Sequence, residues 1–552
     1  MEKKTVALNN DGITEALDFV SETLKRYKQS LKTVYETMLL TEETMVRLMA
    51  SISKDENVKI KITKNIGIAT VTLSVRGTEL LSQEEFDAGM DIDMTDMGYE
   101  ADAAIRSILL QAYADKIKYK HKNGVNTIKI IVGMVERQLA MLTFIAFLTA
   151  IVLGAIGVLV LPNSWISTMD EYFFLPIEKM FISILQLITA PAVFFSIICC
   201  VSRFTEFTEP GRVTLKIFAW YIFSNILAVI IGIHVFQWIE PGDEGMFSYM
   251  VENQVLSAQV SGDISVMDTI ISTVPSNIID PFLNINSMQL VFMALLCGIA
   301  VGTIGRFSGA VKNFFSAGDV LFSKIVSLIM NVVPIAVFCS TFSVMIHIGF
   351  RVWLSVFEMV VTVLIGMALI MLFYLLIVVC VGRLNPFIFM KKYYPEMKNT
   401  FIQGSGLASI PNTIHCCKHR LGISSKIYSF SIPFGATVNL DGNCVYLTIA
   451  GLFLARLCGI DLFSSDIFSM VFAITILSVG APITPGSALL CLFVLLTQMG
   501  VSLDITILIM GVNFFIEMLL AMANTMGDVA ITLVVAKGEN MVDMKKYNKT
   551  AN

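Results

Sequence analysis

From Leu139 onward the chain is dominated by apolar stretches, at about 139–161, 175–201, 214–238, 286–304, 313–346, 352–382, 423–457 and 504–536. Each supplies the roughly 20 residues a helix needs to cross the hydrocarbon core of a bilayer. Lipid offers no water to a free amide or carbonyl, so each stretch must satisfy its backbone internally, as a helix does. Two further stretches, about 399–417 and 468–497, are interrupted by glycine, serine and proline and read as re-entrant. The fold class is therefore mainly α, polytopic, with about eight transmembrane helices and two re-entrant hairpins.

Charge divides the chain. Residues 1–138 hold 19 of the 39 Lys and Arg and 21 of the 44 Asp and Glu. A small soluble domain thus precedes a membrane domain at 139–537, whose core is mainly 385–537, and a tail at 538–552 follows. No apolar leader precedes residue 139, so the N-terminal domain is expected to stay where it is made. The net charge of −5 argues against a nucleic-acid partner. The ten cysteines are absent from residues 1–138 and lack the spacing of a zinc site, so they read as small apolar packing residues.

No Lys or Arg occurs from Ile217 to Gly305, where Glu240, Asp243, Glu244, Glu252 and Asp263 lie. That loop is expected outside. Arg203, Arg212, Lys216, Lys391, Lys392, Lys418, Arg420 and Lys537 then fall inside, with Arg351 and Arg456 as exceptions, and both termini are cytoplasmic in the cell membrane. The N-terminal domain reads as α+β. It has helical periodicity at 11–28, 30–51 and 101–114, and alternation at 58–64, 68–75, 116–121 and 127–132, with turns at Asn65–Gly67 and Asn123–Gly124.

Three segments carry polar residues that hydrocarbon penalises: Gly404–Thr413, Asn439-Leu440-Asp441-Gly442-Asn443, and Ser478–Ser487 with its two prolines. Broken segments free carbonyls to bind cations and present helix N-termini to anions. Glu517, Leu520, Ala521, Asn524 and Asp528 share one side of the last long helix. Acids at membrane depth cost several kcal/mol unless paired, so they mark a functional site.

These motifs resemble those of the dicarboxylate/amino acid:cation symporters. Gly404–Thr413 is similar to the serine-rich hairpin of that family, Asn439–Asn443 to its Asn-Met-Asp-Gly-Thr signature, and Asn524–Asp528 to its Asn-x-x-Gly-Asp ending. The resemblance implies three cation positions. One uses the carbonyls of Gly435, Asn439 and Asn524 with the Asp528 carboxylate; a second uses the Thr437 region and the carbonyls of Ser478, Val479 and Ala481; a third uses Tyr221, Ser224, Asn225, Asn439 and Asp441. Oxygen donors with few charges favour Na⁺, with H⁺ as the alternative coupling ion. The resemblance also implies substrate contacts at Ser405, Gly406, Asn443, Thr484 and Ala488, an ammonium partner in Glu517 and an α-carboxylate partner in Asn524. It further implies an elevator motion and a homotrimer.

The departures bear on substrate. The arginine that clamps an acidic side chain in that family is Leu520 here, and the alternative arginine position is Gly404. Between Tyr428 and Ala536 the only basic residue is Arg456. A second substrate carboxylate would meet no cation, which points to a small neutral amino acid with Leu520 and Ala521 lining its side chain. The alternatives are a dicarboxylate or acidic amino-acid symporter and a substrate sensor signalling through the N-terminal domain. That domain resembles the GHKL-type ATPase fold of anti-sigma-factor kinases in helix order and in Thr41–Thr44 and Ala114–Asn126. Arg47 replaces the magnesium-binding asparagine and Val75-Arg76-Gly77 replaces the Asp-x-Gly box. The reading is a catalytically inactive, regulatory domain with an unidentified cytoplasmic partner, and a chain that is not an enzyme.

Overall fold

The structure, a computed structural model, describes residues 2–27, 31–51, 56–65, 68–77, 117–122, 124–132, 135–160, 162–205, 212–246, 271, 273–283, 286–304, 308–347, 349–460, 464–481 and 486–549. The expected helix at 101–114, Glu252, Asp263 and Thr484 lie outside these residues. Two compact units are present, Met1–Gln138 and Leu139–Asn552.

In the first unit an antiparallel sheet of order β1-β2-β3-β5-β4 comprises Glu2–Ala7, Asn57–Asn65, Ile68–Arg76, Val125–Val132 (β5) and Ile117–Lys122 (β4). Helices α1 (Asn10–Arg26) and α2 (Leu31–Ser51) supply Ala16, Val20, Leu24, Leu40, Met45 and Leu48 to the core, against Val58, Ile60, Ile62, Val71, Leu73 and Ile130 of the strands. Side chains alternate across each strand, so one sheet face is apolar and the other polar. β1 was not expected from the sequence. Its segment, Glu-Lys-Lys-Thr-Val-Ala, carries too little apolar alternation, and as an edge strand it needs little.

The second unit is helical. Its elements are α3 (Val135–Val160), α4 (Leu175–Thr205), α5 (Arg212–Ile239), α6 (Ser287–Thr303), α7 (Ser308–Met330), α8 (Val333–His347), α9 (Arg351–Cys380), α10 (Pro386–Gln403), α11 (Gly406–His415), α12 (Ser425–Val438), α13 (Asp441–Leu457), α14 (Ser464–Val479), α15 (Ser487–Gln498) and α16 (Ile507–Gly538). Among the described residues, 7 helical stretches are long and apolar enough to cross a membrane.

Three expected spans differ. The segment 286–304 forms a shorter apolar helix, Met288–Thr303. The stretch 313–346 is divided between α7 and α8. Asn331 Nδ2 donates to Ser327 O at 3.0 Å, and Pro334, lacking an amide hydrogen, falls in the first turn of α8. The stretch 425–457 is also divided, with Asn439 (φ −102°, ψ 68°) and Leu440 (φ −99°, ψ 54°) outside helical geometry. α13 and α16 are almost wholly buried by neighbouring helices, which places their polar residues inside protein and away from lipid.

Candidate functional site

The break between α12 and α13 is held open by side chains. Asn439 Nδ2 donates to Asp528 Oδ1 on α16 at 3.0 Å, while Asn439 Oδ1 accepts from Ser224 Oγ on α5 at 2.9 Å. Asn225 Nδ2 donates to the Val438 carbonyl at 2.9 Å, satisfying a group that the interrupted helix leaves without an intrahelical donor. Tyr221 OH lies 2.8 Å from Ser431 Oγ. Asp441 opens α13, where the helix dipole favours a negative charge.

One Asp441 oxygen accepts from the Tyr374 hydroxyl of α9. The other, Oδ1, is buried with no hydrogen-bond donor among the described residues. Gly435 permits the packing here, since a β-carbon would collide with the Asp528 carboxyl and lie 2.8 Å from the Tyr221 hydroxyl. A buried carboxylate oxygen that completes no hydrogen bond, set among hydroxyl and amide oxygens, has the chemistry of a hard-cation site.

Contiguous with this network through Asp528 is a cavity of about 90 Å³. Ser405 and Gly406, Ala481, Ser487 and Ala488, Asn443, and Glu517, Leu520, Ala521 and Asn524 all line it. The N-termini of α11, α13 and α15 therefore converge on one space, each with amides that favour an anion. Ser405 caps α11 by accepting from Ala408 N at 3.3 Å.

Asn524 joins α16 to α13. Its Oδ1 accepts from Gly442 N at 2.7 Å and its Nδ2 donates to Asn443 Oδ1 at 3.1 Å. Glu517 Oε1 accepts from Gly486 N, at the start of α15, at 2.9 Å and from Asn513 Nδ2 at 3.1 Å. Asn513 Oδ1 in turn accepts from Tyr446 OH at 3.0 Å. Among the described residues the cavity lining contains the carboxylates Glu517 and Asp528 and no Lys, Arg or His. Arg456 instead pairs with Glu240 at 3.3 Å and bonds to Gly242 O at 3.2 Å.

The structure thus brings together Tyr221, Ser224, Asn225, Gly435, Asn439, Asp441, Asn524 and Asp528, and gathers every described member of the expected substrate set around one cavity. Around the expected second cation set the hydroxyls donate locally and one of the carbonyls already has a donor. Thr437 Oγ1 bonds to Phe434 O at 2.9 Å, Ser478 Oγ to Thr475 O at 2.7 Å, and the Val479 carbonyl accepts from Cys200 Sγ at 3.0 Å. Sequence reasoning missed Tyr374 and Asn513. Asn513 lies one helical turn before Glu517 on the same face, a spacing that was legible. Tyr374 is flanked by apolar residues in its helix, with no local partner to signal its role.

These features define a multi-pass membrane protein with a buried carboxylate–amide site built around interrupted helices. The chain belongs to the sodium:dicarboxylate symporter family, whose family model matches residues 139–538. The family is one of secondary transporters. The C4-dicarboxylate transport protein of Bacillus subtilis (strain 168) is 27% identical over 402 residues, covering 72% of this chain and 94% of that protein. Excitatory amino acid transporter 3 of Mus musculus is 25% identical over 443 residues, covering 70% and 84%. The proton/glutamate-aspartate symporter of Bacillus subtilis is 24% identical over 374 residues, covering 67% and 90%.

Proposed function

We propose that the chain is a symporter that couples Na⁺ entry to uptake of a small neutral amino acid. The observation that carries this reading is the cavity lining: acids and amides suited to a zwitterion, Leu520 buried in the wall, and no basic side chain among the described residues. In this reading the substrate carboxylate meets Asn524 and the helix N-termini, its ammonium meets Glu517, and its side chain rests on Leu520 and Ala521. Na⁺ is held by the Asp441–Asn439–Asp528 network, where the Asp441 oxygen that completes no hydrogen bond fits a cation. A substrate with a second carboxylate would bury a charge without a counter-ion, at a cost of several kcal/mol.

α10–α11 and α14–α15 act as re-entrant hairpins whose tips meet at the site. The α14–α15 hairpin closes the site, and the mobile part moves past a trimeric scaffold with both termini cytoplasmic. Residues 1–138 serve as a catalytically inactive, ATPase-like regulatory domain. The C4-dicarboxylate and glutamate-aspartate transporters among the relatives favour a second reading, in which the cargo is a C4-dicarboxylate, glutamate or aspartate, and coupling to H⁺ goes with it. Uptake of labelled alanine, serine, leucine, aspartate and succinate into proteoliposomes, under sodium or proton gradients, decides between them. Sodium-driven uptake of alanine or serine above aspartate is the expected result; aspartate or succinate above both overturns the reading.

A further inference from the structure

One face of the N-terminal sheet packs on α1 and α2, and the other carries a segregated basic surface. Across the strands Lys3 lies opposite Lys61, Lys61 opposite Thr72, and Thr72 opposite Lys129. In the next row Lys59 and Lys120 flank Ser74 and Thr127. In the third, Arg76 and Lys122 flank Val125. Every one of these basic side chains is exposed.

Glu2 is the only carboxylate in the five strands, and it turns to the helix side, bonding Thr23 and Arg26. The acids of this unit lie elsewhere in the sequence, nine of them between Glu79 and Asp102, so its near-neutral total conceals the basic face.

Like charges directly opposite on neighbouring strands destabilise a sheet. Lys3 against Lys61 is therefore a local cost that an anionic surface would offset. The chain constrains where such a surface can be. Residues 133–140 alone separate the end of β5 at Val132 from the candidate span that begins at Met141. Residues 135–140 already belong to α3, so the connection reaches no more than roughly 20 Å and the unit is tethered close to a bilayer.

We infer that this basic sheet face docks on the anionic lipid surface of the membrane in which the chain is embedded. Basic side chains segregated on one sheet face suit a charged plane, and their long lysine stems let the ammonium groups reach headgroups without insertion. Each basic residue near such a surface strengthens association roughly five-fold, within a reach of about 10 Å at about 0.1 M salt.

The test is lysine acetylation of the full chain in nanodiscs, read by mass spectrometry. Discs of neutral phosphatidylcholine are compared with discs containing about 30% phosphatidylserine, at about 0.05 M and about 0.5 M salt. In anionic discs at low salt Lys59, Lys61, Lys120 and Lys129 are expected to react roughly five-fold more slowly, and the protection should vanish at high salt. Lys4, on the helix side and paired with Glu15 at 2.9 Å, should react equally in both.

The triple variant Lys59→Glu, Lys61→Glu, Lys120→Glu keeps the exposed positions hydrophilic and relieves like-charge repulsion, so it should fold. In it Lys129 should lose its protection in anionic discs. Equal reactivity in both lipids overturns the proposal. So does protection in both lipids alike, the signature of the chain's own acidic run covering the face, and so does protection that needs added RNA.

Discussion

Replacing Glu517 with glutamine separates the charge at this position from its hydrogen bonds. The glutamine Oε1 can still accept from Gly486 N and Asn513 Nδ2, which lie 2.9 Å and 3.1 Å from the native oxygen. Only the negative charge toward a substrate ammonium is lost. A charge-assisted hydrogen bond contributes about 1.5–3 kcal/mol, so the half-saturating amino-acid concentration should rise about 10- to 150-fold. Glu517→Asp makes the complementary change, keeping the charge but withdrawing it by one methylene from the Gly486 amide. That variant should retain sodium dependence while closing the site less well, lowering maximal rate as well as affinity. Initial rates of alanine uptake into proteoliposomes, with thermal unfolding of each purified variant as a check on folding, measure both effects. An unchanged half-saturating concentration in folded Glu517→Gln refutes the assignment of the ammonium to this carboxylate.

Leu520→Arg places a cation in the cavity wall and should raise the preference for aspartate over alanine by about 10- to 150-fold, read as a ratio of uptake efficiencies. Asp441→Asn keeps an acceptor for the Tyr374 hydroxyl and removes the charge, so the sodium concentration for half-maximal uptake should rise by about tenfold or more. Gly435→Ala drives a methyl into the Asp528 carboxyl and should cost about 1–3 kcal/mol of stability, seen as a lower unfolding temperature with loss of sodium-driven uptake.

The membrane architecture was legible because hydrocarbon penalises every free backbone group and so forces long apolar runs into helices. The interruption at Asn439–Leu440 was legible too, since no packed helix needs Asn-Leu-Asp-Gly-Asn at membrane depth. Legibility failed where partners are remote in sequence. The Tyr374 bond to Asp441 spans 67 residues, and the Cys200 bond to the Val479 carbonyl spans 279. The latter engages a carbonyl that the family resemblance assigned to a cation. The division between α7 and α8 was misread because both halves are apolar, and Pro334 was the sole local sign of a boundary.

The tight backbone contacts at Gly435 and Gly442 separate two kinds of evolutionary freedom. A β-carbon at Gly442 would lie 2.8 Å from Asn524 Oδ1 and 3.0 Å from Leu520 O, so neither glycine position tolerates exploration by mutation. Leu520 and Ala521 meet the cavity with ordinary side chains, and only the backbone of Leu520 faces Gly442, so those side chains can be exchanged without touching the tight contacts. A lineage carrying this scaffold can therefore change its diet while its fuel supply stays fixed.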